Sequence, residues 1–108
     1  MRLYLIRHGE TALNAKGCYY GRTDAVLSEK GISQARYLKE ILKEVSFDYI
    51  VASPLVRAYN TAQSVMEERE QKIFGDRRLM EQDCGIFEGM TYKEIQSTYP
   101  KELDAWNE

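Results

Sequence analysis

Histidine occurs once in these 108 residues and cysteine twice, and neither sign of charge predominates. Cys18 and Cys84 stand in no Cys-x-x-Cys or Cys/His ligand spacing. With a single histidine in the chain, that argues against a zinc site, and both cysteines read as free thiols. Fifteen Lys and Arg against 17 Asp and Glu leave a formal net charge of −2. This lacks the basic footprint that nucleic acid or an anionic membrane surface attracts, so neither is an expected partner and any anion must be gripped locally. No apolar run approaches the roughly 20 residues that span a bilayer. Met1-Arg2-Leu3-Tyr4-Leu5-Ile6 meets Arg7 and His8 too early for a secretory signal, which makes a cytoplasmic enzyme the expectation. Internal repeats, low-complexity tracts and linkers are also missing.

What is present is ordinary for a folded domain: 44% hydrophobic and 30% charged residues argue against disorder. Leu3-Tyr4-Leu5-Ile6 predicts a short buried strand ending at the polar segment Arg7-His8-Gly9-Glu10-Thr11. A long polar loop then runs to Ser28, whose hydroxyl can cap the next helix. Apolar residues at Ile32, Ala35, Leu38, Leu42 and Val45 recur at spacings of three and four, the period of an amphipathic helix. Phe47 to Ala52 predicts a second strand, and Ser53-Pro54 predicts a cap with proline at the first helical position. The helix after it is expected to pack Ala58, Ala62, Val65 and Met66. Lys72-Ile73-Phe74 predicts a third strand, Cys84 to Gly89 a glycine-containing loop, and Thr91 the cap of a short helix ending before Tyr99-Pro100. Strands alternating with helices indicate an α/β fold with a mostly parallel sheet and right-handed crossovers.

In open parallel sheets, ligands gather where strands end and helices begin. His8 follows the first predicted strand, and Arg57 falls in the first turn of the helix after the second, where backbone N–H groups favour an anion. A neutral imidazole can attack phosphorus if cations clamp the phosphoryl oxygens, and the planar guanidinium suits that clamp. Such a site needs no metal or cofactor in principle, because phosphoryl transfer depends mainly on positioning and charge. Taken singly, a histidine beside an arginine is more often a surface pair, and Arg57 a solvated helix charge.

Joined in order and spacing, Leu5 to Thr11, Asn14, Gly21-Arg22-Thr23-Asp24, Leu27-Ser28, Gly31, Gln34-Ala35, Ser53-Pro54-Leu55, Arg57-Ala58 and Thr61-Ala62 closely resemble the histidine phosphatase superfamily, also called phosphoglycerate mutase-like. The resemblance covers nearly the whole chain. It implies a three-layer α/β/α fold, of which residues 1–108 form the N-terminal part of one domain. It also implies that His8 is the phosphorylated nucleophile and that Arg7 and Arg57 bind phosphate. Asn14 would line the pocket, and Tyr20, Gly21 and Arg22 would complete the substrate-binding set. Glu81 would protonate the leaving oxygen and later help activate water, a role that requires a carboxyl kept protonated by burial or a neighbouring negative charge. Glu88 is its nearest competitor and reads as a loop or helix-cap contact.

The family places a second histidine on a C-terminal strand beside the one that delivers His8, whereas this chain has none and stops at Glu108. Members run to roughly twice this length. The expectation is therefore an incomplete sheet and site in these 108 residues, weak or absent activity of the isolated chain, and completion by the rest of a longer product, a homo-oligomer or a swapped chain. Mutases of the family usually follow the catalytic Glu with Arg-His-Tyr-Gly; here the segment is Gln82-Asp83-Cys84-Gly85, which favours hydrolysis. Tyr19 to Asp24, with Phe47-Asp48, looks most like the alpha-ribazole phosphatases of cobalamin biosynthesis. The expected ligand is thus a small phosphorylated metabolite, with a phosphoglycerate mutase or a non-catalytic phosphate-binding module as the alternatives.

Overall fold

The computed structural model describes residues 1–107, as α1 (Ala12–Ala15), β1 (Cys18–Tyr19), α2 (Glu29–Leu42), β2 (Ile50–Ala52), α3 (Val56–Val65), β3 (Ile73–Gly75), β4 (Met90–Thr91), α4 (Tyr92–Thr98) and α5 (Pro100–Trp106). Short 3₁₀ turns at Arg77–Leu79 and Gly85–Phe87 interrupt the connection from β3 to β4. The parallel α/β unit is present: β2 and β3 pair in parallel with Ile50 opposite Ile73 and Ala52 opposite Gly75, and α3 supplies the crossover. None of the helices in the described residues is long and apolar enough to cross a membrane.

The first predicted strand is corrected. Leu3 to Ile6 enter no ladder among the described residues, and Leu3 and Leu5 are 71% and 88% exposed where burial was expected. Strand formers become a strand only where a neighbour accepts the ladder bonds, and the described partner of β2 is β3. The alternation survives, since Tyr4 and Ile6 are about half as exposed as their odd-numbered neighbours and Tyr4 meets the Phe47 ring edge to face at 5.2 Å.

Ser28 caps α2 as expected, its Oγ accepting from the Gly31 N–H at 3.1 Å. The entry to α3 differs: Leu55 keeps an extended backbone at the cap position without a side-chain cap, so Pro54 precedes the helix instead of starting it. The Ser53 hydroxyl accepts from Leu55 N inside that turn. Arg57 still lies in the first turn of α3, and the buried face of that helix is Arg57, Thr61 and Val65, with Ala58 and Ala62 half-buried. Four elements went unpredicted, the short strands β1 and β4 and the helices α1 and α5. Thr11 and Asn14 build a reciprocal capping box for α1 inside the supposed loop, and Pro100 opens α5.

The apolar residues form two clusters. Leu42, Ile50, Val65 and Met66 hold α2, α3 and β2 together, while Phe87, Ile95 and Leu103 hold the second, with Tyr19 and Met90 of the antiparallel β1–β4 pair against it. Each fully buried side chain contributes on the order of 1.5–3 kcal/mol. The segments between these clusters carry the candidate site.

Candidate functional site

His8 is fixed from both sides of its own loop. The Gly9 N–H donates to Thr61 Oγ1 at 3.0 Å, and the same hydroxyl donates to the Arg57 carbonyl at 2.7 Å, so the loop is tied to α3 one turn after Arg57. On the other side, Ser28 N and Oγ both donate to the Glu10 carbonyl, at 2.8 and 3.1 Å. Gly31 is needed there: a Cβ on it would lie 2.0 Å from the Glu10 oxygen.

The His8 ring donates from Nδ1 to the Gly9 carbonyl at 2.7 Å. A carbonyl only accepts, so the proton of the neutral ring sits on Nδ1 and the lone pair on Nε2. Burial lowers the His8 pKa below its ordinary 6.5, and the positive fields of Arg57 and Arg7 push the same way. The Gly9 hydrogen bond and the negative field of Glu81 oppose this without reversing it. The folded state thus prefers the neutral ring. Below pH 6.5 the unfolded chain takes up the proton first, so this residue's contribution to stability is whole above 6.5 and shrinks as pH falls. An NMR titration of His8 is expected to give a midpoint under 6.5; a midpoint at or above it contradicts this environment.

Arg57 is 3% exposed, and no described carboxylate lies within ion-pair distance of it. Its guanidinium donates to the carbonyls of Thr23, at 3.0 Å, and Gly21, and lies 4.6 Å from the centre of the Tyr20 ring. Two of the five guanidinium donors are thereby used, and the positive charge is held by dipoles and a π face without being neutralised. A buried cation without a counter-ion attracts an anion. The Tyr20 hydroxyl bonds Thr11 Oγ1 at 2.7 Å, which holds the ring in place.

The remaining predicted residues fall into distinct places. Arg7 is exposed beside His8 and acts on its charge. With His8, Lys30 and Gln34 it borders an open depression of about 450 Å³ against α2, which Arg57 and Glu81 do not border. The Asn14 carboxamide oxygen is committed to Thr11, accepting from its N–H at 3.1 Å and its hydroxyl at 3.2 Å. Gly21 is buried, and Arg22 is exposed with Nε 3.4 Å from the Glu81 carbonyl. Tyr19 packs edge to face on Phe87 in the second cluster, so neither loop tyrosine is an open stacking platform. Glu81 is exposed, where burial was one of the two conditions expected of it, and its carboxylate accepts from Gln82 N at 3.0 Å.

Two residues were undervalued. Thr61, present in the sequence only as part of the family resemblance and given no role there, joins the His8 loop to α3. Glu88, read as an ordinary loop contact, accepts four hydrogen bonds: from Thr23 Oγ1 at 2.6 Å, Gly21 N at 2.8 Å, Cys84 N at 3.0 Å and Arg22 N at 3.1 Å. Burial pushes its pKa up, but these bonds outweigh burial and hold it at about 2.

Residues 3–108 match the family model described as histidine phosphatase superfamily, branch 1. Phosphoserine phosphatase 1 of Hydrogenobacter thermophilus is 36% identical over 108 residues, covering 100% of this chain and 51% of that protein. The adenosylcobalamin/alpha-ribazole phosphatase of Escherichia coli is 37% identical over 106 residues, covering 98% and 52%. The crystal structure of the alpha-ribazole phosphatase from Shigella flexneri superposes with a TM-score of 0.90 at 34% identity, covering 94% of this chain and 50% of that one. The chain therefore spans about half the length of the relatives it matches.

Proposed function

Since the chain belongs to the histidine phosphatase superfamily, we propose that it carries the nucleophile half of a phosphomonoesterase working through a phosphohistidine at His8. The observation that carries this reading is Arg57, buried and without a carboxylate partner among the described residues, acting on a histidine whose lone pair is on Nε2. In this mechanism Nε2 attacks phosphorus, the ester P–O bond breaks, and the departing oxygen takes a proton from the Glu81 carboxyl. Water then gives a proton to the Glu81 carboxylate and attacks phosphorus. The N–P bond breaks, and phosphate leaves with His8 neutral again. Arg57 and Arg7 stabilise the charge on the phosphoryl oxygens in both steps. Gln82-Asp83-Cys84 after Glu81 favours transfer to water over transfer to a second substrate position.

The finer reading is alpha-ribazole 5'-phosphate as substrate. It is supported by the Tyr19 to Asp24 segment and by the names of the Escherichia coli and Shigella flexneri relatives. Phosphoserine belongs in the test as the competitor, given a relative of that name at similar identity. The complete gene product is expected to hydrolyse alpha-ribazole 5'-phosphate with kcat/KM at least about tenfold above phosphoserine, phosphoglycerate and an aryl phosphate, a margin of roughly 1.4 kcal/mol. Equal rates across the panel remove the substrate assignment; primer-dependent isomerisation of phosphoglycerate replaces hydrolysis with mutase chemistry.

A further inference from the structure

The loop from Gly21 to Thr23 is gripped on both sides of its backbone. Its N–H groups at Gly21 and Arg22, with the Thr23 hydroxyl, point to the Glu88 carboxylate. Its carbonyls at Gly21 and Thr23 point to the Arg57 guanidinium. Next to it, the Asp24 carboxylate accepts from Val56 N at 2.7 Å, which ties the loop to the start of α3. The fourth Glu88 bond reaches Cys84 N, on the segment that carries Glu81, and Arg22 Nε meets the Glu81 carbonyl. Glu88 itself follows Phe87 of one apolar cluster, while Arg57 projects from the helix that carries Val65 of the other.

We propose that Glu88 is a positioning residue: its carboxylate holds Gly21–Thr23 so that their carbonyls aim Arg57, and through Cys84 it fixes the Glu81 segment at a set distance from that clamp. The carboxylate is the right group for this task. It is acceptor-only, can serve several donors at once, and its charge strengthens every bond it accepts. Peptide groups polarised by an anion at one end and a cation at the other reinforce each other, so the strap is stiffer than its separate bonds. The inference rests on the phosphatase reading for its consequence in catalysis, but its structural content, control of Arg57 by Glu88, stands apart from turnover.

Both parts are read with Glu88→Gln, which keeps the shape and removes the charge, and Glu88→Asp, which keeps the charge and shortens the reach. Thr23→Val, which deletes one donor and leaves the backbone bonds, is the milder companion. The first readout is the titration of His8. If Glu88 aims Arg57, Glu88→Gln loosens the strap, Arg57 leaves its place over the Tyr20 ring, its positive field on His8 weakens, and the His8 midpoint rises towards 6.5, with Thr23→Val moving it the same way by less. The second readout, in the complete gene product, is kcat, expected to fall about 100-fold for a misplaced clamp, with a much smaller change in KM and partial recovery in Glu88→Asp. A thermal midpoint that falls while the His8 titration stays at the wild-type value overturns the proposal, because Glu88 is then only a structural tie. An unchanged titration in a fully stable variant overturns it equally. Should Glu88→Gln not fold, Thr23→Val decides by the same criterion. A gene product that turns over no phosphoester defeats the phosphatase reading and leaves the His8 titration to judge Glu88.

Discussion

His8→Ala in the complete gene product is expected to reduce phosphatase turnover by about 10⁴-fold or more and to abolish the acid-labile phosphoenzyme altogether. The size of the effect follows from what the ring alone supplies. It is the only histidine in the chain, its tautomer is set by the Gly9 carbonyl, and its neutral form is favoured by burial and by Arg57 and Arg7. Neither cysteine is a ready substitute: Cys18 is in the β1–β4 pair, and the Cys84 thiol is pushed up in pKa by burial, with Glu88, Glu81 and Asp83 adding to it. Rapid-quench labelling with a ³²P-phosphoester, followed by acid and base stability tests, measures the intermediate. A labelled protein that survives His8→Ala with its activity would assign the nucleophile elsewhere.

Gly21→Ala is expected to damage stability and site together. A Cβ at that position would stand 1.4 Å from the Gln82 carbonyl oxygen and 2.6 Å from its carbon, both backbone atoms with no rotamer to escape into. Either the Gly21 loop or the Gln82 segment must move. The first motion releases the carbonyl that Arg57 grips and the N–H that Glu88 accepts; the second displaces Glu81, the residue before Gln82. The cost is expected at about 3 kcal/mol or above, the upper end for overpacking, since backbone has to yield. Gly75→Ala is the matched control. Nothing lies within 4 Å of its Cβ position, and a change within about 0.5 kcal/mol is expected. Denaturant midpoints of the two variants measure the contrast, and equal midpoints would mean that the close approach at Gly21 does not constrain the fold.

The parts of this site that were legible in the sequence are those written in local chemistry. His8 and Arg57 follow apolar runs at positions where an α/β fold presents loops, and Ser28 and Thr91 cap helices through neighbours three residues on. The parts that were not legible depend on distant residues. Leu3 to Ile6 has strand composition, but a ladder needs a partner strand that no local pattern provides. The β1–β4 pair joins Cys18 to Thr91, and neither two-residue strand carries a periodic signal of its own. Glu88 looked like a loop contact because three of its four donors lie 65 to 67 positions away, at Gly21, Arg22 and Thr23. Proline misled at one end and was underread at the other. Pro54 sits in the turn before α3, whereas Pro100, taken as the end of α4, also starts α5. The same residue type serves both purposes, because a fixed φ suits a turn as well as a first helical residue.

The clamp on Arg57 is built from the main chain of Gly21 and Thr23, and the exposed Arg22 side chain between them takes no part in it, meeting the Glu81 carbonyl instead. A support made of peptide carbonyls is indifferent to the side chain carried at the intervening position. Position 22 can therefore be diversified in a library without dismantling the cation, provided the backbone keeps its path and Gly21 remains glycine. That separates two design variables that most binding loops entangle. Under the proposed phosphatase reading, the hold on a phosphoryl group rests on main-chain atoms, while the exposed side chain at position 22 can change with whatever the phosphate is attached to.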